Sequence, residues 1–284
     1  MAHDVLARGL EFPEGPVWLG PQRVAFTQIR GQCVSVWEGG RVRTLADTGG
    51  GANGATLGPD GALYVANNGG LSLGHEGQWR ATPEIPGRIQ RVTLDGAVAD
   101  VATVLPGTPP HRPNDLCFGP DALLYFTDPH DWENLPALGV GRVNRTTLEG
   151  EVELLCDFPS FPNGIAFGPD DRLYVAQSMT QAILVMEPRP GDTPRAYARL
   201  PQGFPDGFCF ERNGGIYAAG SLGDVVVAFE PDGRLARVID MGKGSEPTNC
   251  CIGDGRLYVT LAGSGELVAL DLGVEPLALY PARR

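Results

Sequence analysis

Helical periodicity is the first thing this 284-residue sequence lacks. No run of apolar residues at 3.6 spacing lasts longer than two turns, which excludes a helix bundle and argues against alternating α/β architectures. No apolar stretch approaches the ~20 residues of a membrane helix, and the opening Met1-Ala-His-Asp-Val-Leu-Ala-Arg is too polar for a secretory leader. The expectation is a soluble cytoplasmic protein without a membrane partner. Basic residues are also scarce, with 22 Lys and Arg against 34 Asp and Glu. A formal net charge of −12 makes a nucleic-acid backbone an unsuitable partner. Cys-x-x-Cys does not occur, so no zinc-thiolate site is announced.

Turn chemistry, by contrast, is abundant, with 40 Gly and 25 Pro. The stretch Phe161 to Gln177 holds a Pro-Asn-Gly corner, a short apolar strand, a Gly-Pro-Asp turn and a second strand. Turn residues between two β-rich runs mark a hairpin. The same template recurs six times, with the residue after the Pro (or after Ala52) being Glu14, Asn53, Asn114, Asn163, Asp206 and Thr248. Successive separations are 39, 61, 49, 43 and 42 residues. In five copies the second strand begins its apolar run ten residues past that slot, and in the sixth nine past. A period of 40 to 50 built from strands alone predicts an all-β, six-bladed β-propeller with four-stranded blades, a single domain over residues 1–284. The long second step places an insertion around Asn67 to Pro86, read as a lid over the channel mouth or as a long ordered loop. Val5-Leu6-Ala7 is too short to be a blade. Its expected place is the last blade, beside Glu266–Asp271 and Leu277–Tyr280, which closes the ring.

Equivalent positions on the innermost strands of a propeller converge on its axis. The six slots then form a ring of two carboxylates, three amides and a hydroxyl: Glu14, Asp206, Asn53, Asn114, Asn163 and Thr248. Taken alone, Glu14-Gly15-Pro16 reads as an ordinary turn acid. Overlaid on the other copies, it belongs to a set of hard oxygen donors with two negative charges, which suits one divalent cation. Cys117 and Cys209 both fall three residues past the slot, where other copies carry Val17, Thr56 and Ala166, so they read as small buried thiols. A strained disulfide between adjacent Cys250 and Cys251 is disfavoured by a reducing compartment.

Four ordered signatures carry a resemblance: Glu14-Gly-Pro, Asn114-Asp, Pro162-Asn-Gly and Pro205-Asp-Gly, one per blade on blades 1, 3, 4 and 5. The chain resembles the SMP-30/gluconolactonase family over its whole length, and Phe126-Thr-Asp-Pro129 is similar to the bacterial gluconolactonases. The resemblance implies a metal-dependent lactonase with one divalent cation in the channel, calcium first, with magnesium, manganese, zinc or iron(II) as alternatives. It implies Glu14, Asn163 and Asp206 as metal ligands, with Asn114 ligating directly or through water or substrate. It implies Asp206 as general base and Arg112 as a holder of substrate hydroxyls. The family's substrate-binding acid after the third-blade strand has no clean equivalent here. Glu133 is nearest by count, with His130 and Asp131 beside it.

The expected reaction is opening of a sugar or related hydroxylated lactone by water, with a small molecule as the only partner. Substrate-facing candidates are Arg112, Asn53, Asn114, Asp128, His130 and Glu133. His75, His111 and His130 are placed in loops at the mouth, solvated or facing substrate rather than ligating metal. Two alternatives stand beside this one. A phosphotriesterase-like (diisopropylfluorophosphatase-like) hydrolase would set a phosphoryl oxygen in place of the carbonyl, and a non-catalytic propeller scaffold would keep the metal for structure.

Overall fold

The computed structural model describes residues 3–130, 132, 133, 139–158 and 160–280. Six four-stranded antiparallel sheets make the blades, and a two-stranded ribbon is added to the second. The inner strands are Pro13–Gly20, Ala52–Leu57, Leu116–Phe118, Pro162–Phe167, Phe204–Phe210 and Pro247–Gly253. Each packs on the next and the last returns to the first, so the ring is closed. Among the described residues one 3-10 turn, Ser178–Thr180, interrupts the strands, and no helix is long and apolar enough to cross a membrane.

The Gly-Pro-Asp turns explain why the repeat folds as it does. In blades 2, 3 and 4 the Asp at the turn accepts the N–H two residues on: Asp60 from Ala62, Asp121 from Leu123 and Asp170 from Arg172, each at 3.2 Å. The same three carboxylates also accept the hydroxyls of Tyr64, Tyr125 and Tyr174 on the following strand. Each tyrosine ring then meets an aromatic ring of the next blade edge-on: Tyr64 on Phe118, Tyr125 on Phe167 and Tyr174 on Phe210, with centroids 5.2, 5.0 and 5.0 Å apart. One short motif thereby shapes the hairpin and packs the blade against its neighbour. The core lies between blades, not inside them, because a sheet buries its faces only against another sheet.

Asp4–Ala7 is the outer strand of the last blade, with Val5 opposite Val268 on Glu266–Val274. The ring thus has no open seam, as expected. The expectation for Leu277–Tyr280 is corrected. Asp4–Ala7 completes the four strands of that blade, which leaves no place for a fifth. The segment instead crosses the underside of the ring: Leu277 N–H donates to Phe210 O at 3.1 Å, and the Tyr280 ring packs on Phe167. Val5→Pro removes a backbone donor from the closing ladder. It is expected to lower stability by on the order of 2 kcal/mol, a Tm drop of roughly 4–8 °C. Thermal unfolding measures this, and an unchanged Tm would show that the ring does not depend on its closing strand.

Candidate metal centre and its cover

Five of the six slot residues are buried: Glu14, Asn53, Asn114, Asn163 and Thr248. Asp206 is partly exposed. What brings them together is a set of hydrogen bonds between each blade and the segment leading into the next inner strand. Thr27 Oγ1 donates to Asn53 O, Gly54 N–H to Asn114 O, Thr127 Oγ1 to Asn163 O and Ser178 Oγ to Pro205 O. Glu246 N–H donates to Asp224 Oδ1, and Thr248 Oγ1 to Pro13 O, which completes the circle. The hydroxyl of Thr248 is therefore spent on blade 1 and on Thr260. This slot does the tying that Thr27 and Thr127 do elsewhere, so its hydroxyl is not left for the axis.

The charges left on the axis are poorly compensated by protein. Burial, with the nearby Asp115 carboxyl, pushes Glu14 up to about 8. Burial and then Glu14 and Asp115 hold Asp206 well above the usual carboxylate range, with the Asn163 amide the opposing influence. Asn163 itself donates from Nδ2 to Ser178 Oγ at 3.2 Å, which leaves its carbonyl oxygen free to act as a donor atom. Asn53 Oδ1 is buried without a hydrogen bond among the described residues.

One layer below the ring is a set of residues that the slot overlay passes over. The next position along each inner strand reads Gly15, Gly54, Asp115, Gly164, Gly207 and Asn249. Asp115 and Asn249 come from opposite blades and meet across the axis, with Asn249 Nδ2 3.3 Å from Asp115 Oδ2. The glycines make the room for them. A Cβ on Gly54 would sit 2.2 Å from Asp115 Oδ1, and one on Gly207 1.9 Å from Asn249 Cγ. Asn249 also hydrogen-bonds Glu14, and burial pushes Asp115 up to about 7. The signal was legible as an acid and an amide in an otherwise all-glycine position.

Above the ring, Arg112 is buried and reaches the insertion, donating from Nη1 to Asn68 O at 3.0 Å and lying 3.2 Å from Glu84. Asp128 is fully buried. Its oxygens accept from Arg112 N–H and His130 N–H and meet His111 Nδ1 at 2.7 Å, so it shapes the rim beneath these residues. His130 Nε2 lies 3.1 Å from Thr108 O. Glu133 is exposed and paired with Arg80, while Asp131 lies outside the described residues.

The insertion forms a hairpin, Leu71–Gly74 and Gly77–Arg80. It starts on blade 2 and touches blades 1, 3, 4 and 6. Leu71 clusters with Phe161 of blade 4 and with Trp132. Ser72 and Glu76 take the guanidinium of Arg30 on blade 1, and His75 Nδ1 lies 2.9 Å from Glu246 Oε2 on blade 6. A segment that reaches blades 1, 4 and 6 from blade 2 has to cross the axis, so the hairpin covers the ring. Phe12, Phe161 and Glu246, each two residues before a ring slot, are the wall on which it rests.

A hard divalent cation fits this donor set. Every donor is oxygen, two carboxyls repel one another, and a buried amide oxygen lacks a hydrogen bond. Among the described residues no three His, Cys, Asp or Glu side chains converge, so amide oxygens would have to complete the coordination.

A six-bladed propeller whose covered channel ends in an acid-and-amide ring is the class that fold and site define. The chain belongs to the SMP-30/gluconolactonase/LRE-like family, whose sequence model matches residues 12–263. It is similar to the gluconolactonase of Zymomonas mobilis, 25% identical over 300 residues covering 93% of this chain and 80% of that protein. It is 32% identical over 177 residues to the L-arabinolactonase of Azospirillum brasilense, covering 60% of this chain and 58% of that protein. The structure of a Xanthomonas campestris gluconolactonase superposes with a TM-score of 0.75 at 27% identity, over 96% of this chain and 89% of that one.

The raised carboxyls make a pH test. In the metal-free protein the folded state keeps protons on Glu14 that the unfolded chain releases near its ordinary value of 4.5, up to about 8. Stability is full below that ordinary value. It falls as pH rises toward 8, by at most about 1.4 kcal/mol per pH unit for each such carboxyl. A divalent cation reverses the trend because it binds the ionised forms and releases protons near neutrality. Thermal unfolding from about pH 5 to pH 8 with and without calcium measures both slopes. A metal-free protein that gains stability across that window would overturn the assignment.

Proposed function

We propose that the protein is a divalent-cation-dependent lactonase that opens a sugar or related hydroxylated lactone. The observation that carries this reading is the acid-and-amide ring at Glu14, Asn163 and Asp206, held under a polar mouth in a chain of the gluconolactonase family. The named activities of the Zymomonas and Azospirillum relatives support the lactone.

Glu14, Asn163, Asp206 and Asn114 would hold the cation, and Asn53 adds an amide oxygen at the rim. When bound, the cation polarises the acyl oxygen and favours the negative charge that develops there. The chain's own residues do the rest. Arg112, anchored under the hairpin, presents donors to substrate hydroxyls, and His130 lines the same rim. Asp206 takes a proton from the attacking water and returns it to the ring oxygen as the acyl C–O bond breaks. Water is added across that bond, and a hydroxy acid leaves. Asn249, held by Asp115, hydrogen-bonds Glu14 from below. The hairpin keeps bulk water out during the transfer.

Asp206→Asn keeps an oxygen ligand and removes the base. Loss of a general base costs about 10²–10⁴ in rate, so turnover at saturating metal is expected to fall more than about a hundredfold with the fold intact. Asn163→Asp keeps an oxygen and should lose less, and Arg112→Ala should mainly raise KM. A panel of aldonolactones and aryl phosphotriesters, followed by pH-stat before and after chelation, tests the class. Phosphotriester turnover without lactone turnover would overturn it, as would lactone turnover that survives complete chelation.

A further inference from the structure

The end of the channel away from the ring holds chemistry that lactone opening does not use. Below Asp115 and Asn249 the axis widens into a cavity of about 700 Å³, walled by Trp18, Phe167, Phe208 and Phe210 and crossed by Pro276–Tyr280. Four of the six cysteines line it: Cys117, Cys209, Cys250 and Cys251. All six are thiols. Strand alternation separates the adjacent pair. Cys250 packs toward blade 5 with Cys209, whereas Cys251 packs toward Trp18 on blade 1. The sulfurs that meet are those of Cys209 and Cys250, 3.6 Å apart on the inner strands of neighbouring blades. Cys250 also donates its S–H to Tyr217 O at 3.2 Å, which fixes its direction. Cys209 is partly exposed and Cys250 is buried, so an oxidant reaches one thiol while the other waits beside it.

We propose that Cys209 and Cys250 are an inter-blade dithiol that a peroxide oxidises to a disulfide joining blades 5 and 6. In the first step the Cys209 sulfur, as thiolate, attacks one oxygen of hydrogen peroxide. The O–O bond breaks, a sulfenic acid forms, and the other oxygen leaves as water after taking a proton. In the second step the Cys250 sulfur displaces the sulfenic oxygen, the S–S bond forms, and a second water leaves. The two thiols lose two electrons and two protons, and one peroxide becomes two waters. The sulfurs must close from 3.6 Å to the roughly 2.05 Å of a bond, a movement within reach of side-chain rotation on strands that already pack together. Burial keeps the Cys209 thiol protonated at neutral pH, so the reaction is slow and needs peroxide in excess.

The site touches the ring through the chain. Cys209 follows Asp206 by three residues on one strand, and Cys250 directly follows Asn249 on the other. A disulfide here would tie together the two strands that carry Asp206 and the floor beneath Glu14.

The test uses the full chain with its metal, incubated with excess hydrogen peroxide, alkylated without reduction and mapped by mass spectrometry. The expected result is a loss of about 2 Da per chain, a fall from six alkylatable thiols to four, and a peptide link between Cys209 and Cys250 that dithiothreitol reverses. Cys209→Ser and Cys250→Ser should each abolish the link, and Cys251→Ser should leave it. The readout needs neither substrate nor turnover, so it stands or falls apart from the lactone reading. A link between Cys250 and Cys251 would overturn the proposal. So would over-oxidation of single cysteines without a link, or six thiols persisting when a small free thiol in the same tube is consumed.

Discussion

Two carboxyl groups in the same water-poor channel, with a third just beneath them, are the constraint around which this propeller is built. Glu14 and Asp206 repel one another, and both feel Asp115. Burial opposes ionisation of each, so without a cation the axis favours protons on its acids. Holding it requires that no blade relax outward, and the inter-blade bonds supply that restraint. Thr27, Thr127, Ser178 and Thr248 each donate to a carbonyl on the segment entering the next inner strand. These bonds lie beside the ring residues themselves, so the ties that close the propeller also set the spacing of the donors.

Much of this was legible in the sequence because the repeat is a local code. Gly-Pro-Asp followed by a strand with Tyr specifies a turn and a cap on its N–H locally, and the same Tyr then packs on an aromatic ring of the next blade. Three blades carry that code in full, and six copies of the broader corner, strand, turn and strand template give a closed ring without long-range inference. The place of the six slots at the start of the inner strands followed from the same overlay. What the overlay missed lies in pairings between repeats. Asp115 and Asn249 stand 134 residues apart, and nothing local to either says that they meet. Thr248 kept its slot but changed its role, because its hydroxyl found a neighbour's carbonyl nearer than the axis. Leu277–Tyr280 looked like a strand, but strand pattern alone does not say whether a partner edge is vacant.

The mouth shows how an acid can serve a site without facing it. Asp128 sits in a third-blade strand beside the rim, where a substrate-binding carboxylate was sought. It is fully buried and organises His111, Arg112 and His130 instead. An acceptor with both oxygens committed fixes three neighbours at once, and it thereby sets the angle at which Arg112 enters the insertion. The hairpin is then held from the other side by His75 against Glu246 and by Arg30 against Ser72 and Glu76. Most of these ties are charged and lie at the edge of solvent, where such pairs contribute little each. The apolar contact of Leu71 with Trp132 and Phe161 is the buried part. The hairpin is therefore well placed yet loosely held.

The two ends of the channel are made from the same inner strands and differ by three positions along them. At the slot the side chains are oxygen donors; three residues on, they are Val17, Thr56, Cys117, Ala166, Cys209 and Cys251. Between the two layers, four glycines leave space that only Asp115 and Asn249 fill. This pair is a polar partition one residue thick. It stands between the apolar cavity and the ring. Replacing either side chain with a larger one would meet the backbone of Gly54 or Gly207, and a smaller one would join the two spaces. The axis thus tolerates little change at these positions even though neither residue is required to touch substrate. That one cross-channel hydrogen bond marks the division between the oxygen-rich ring above and the thiol-lined cavity below.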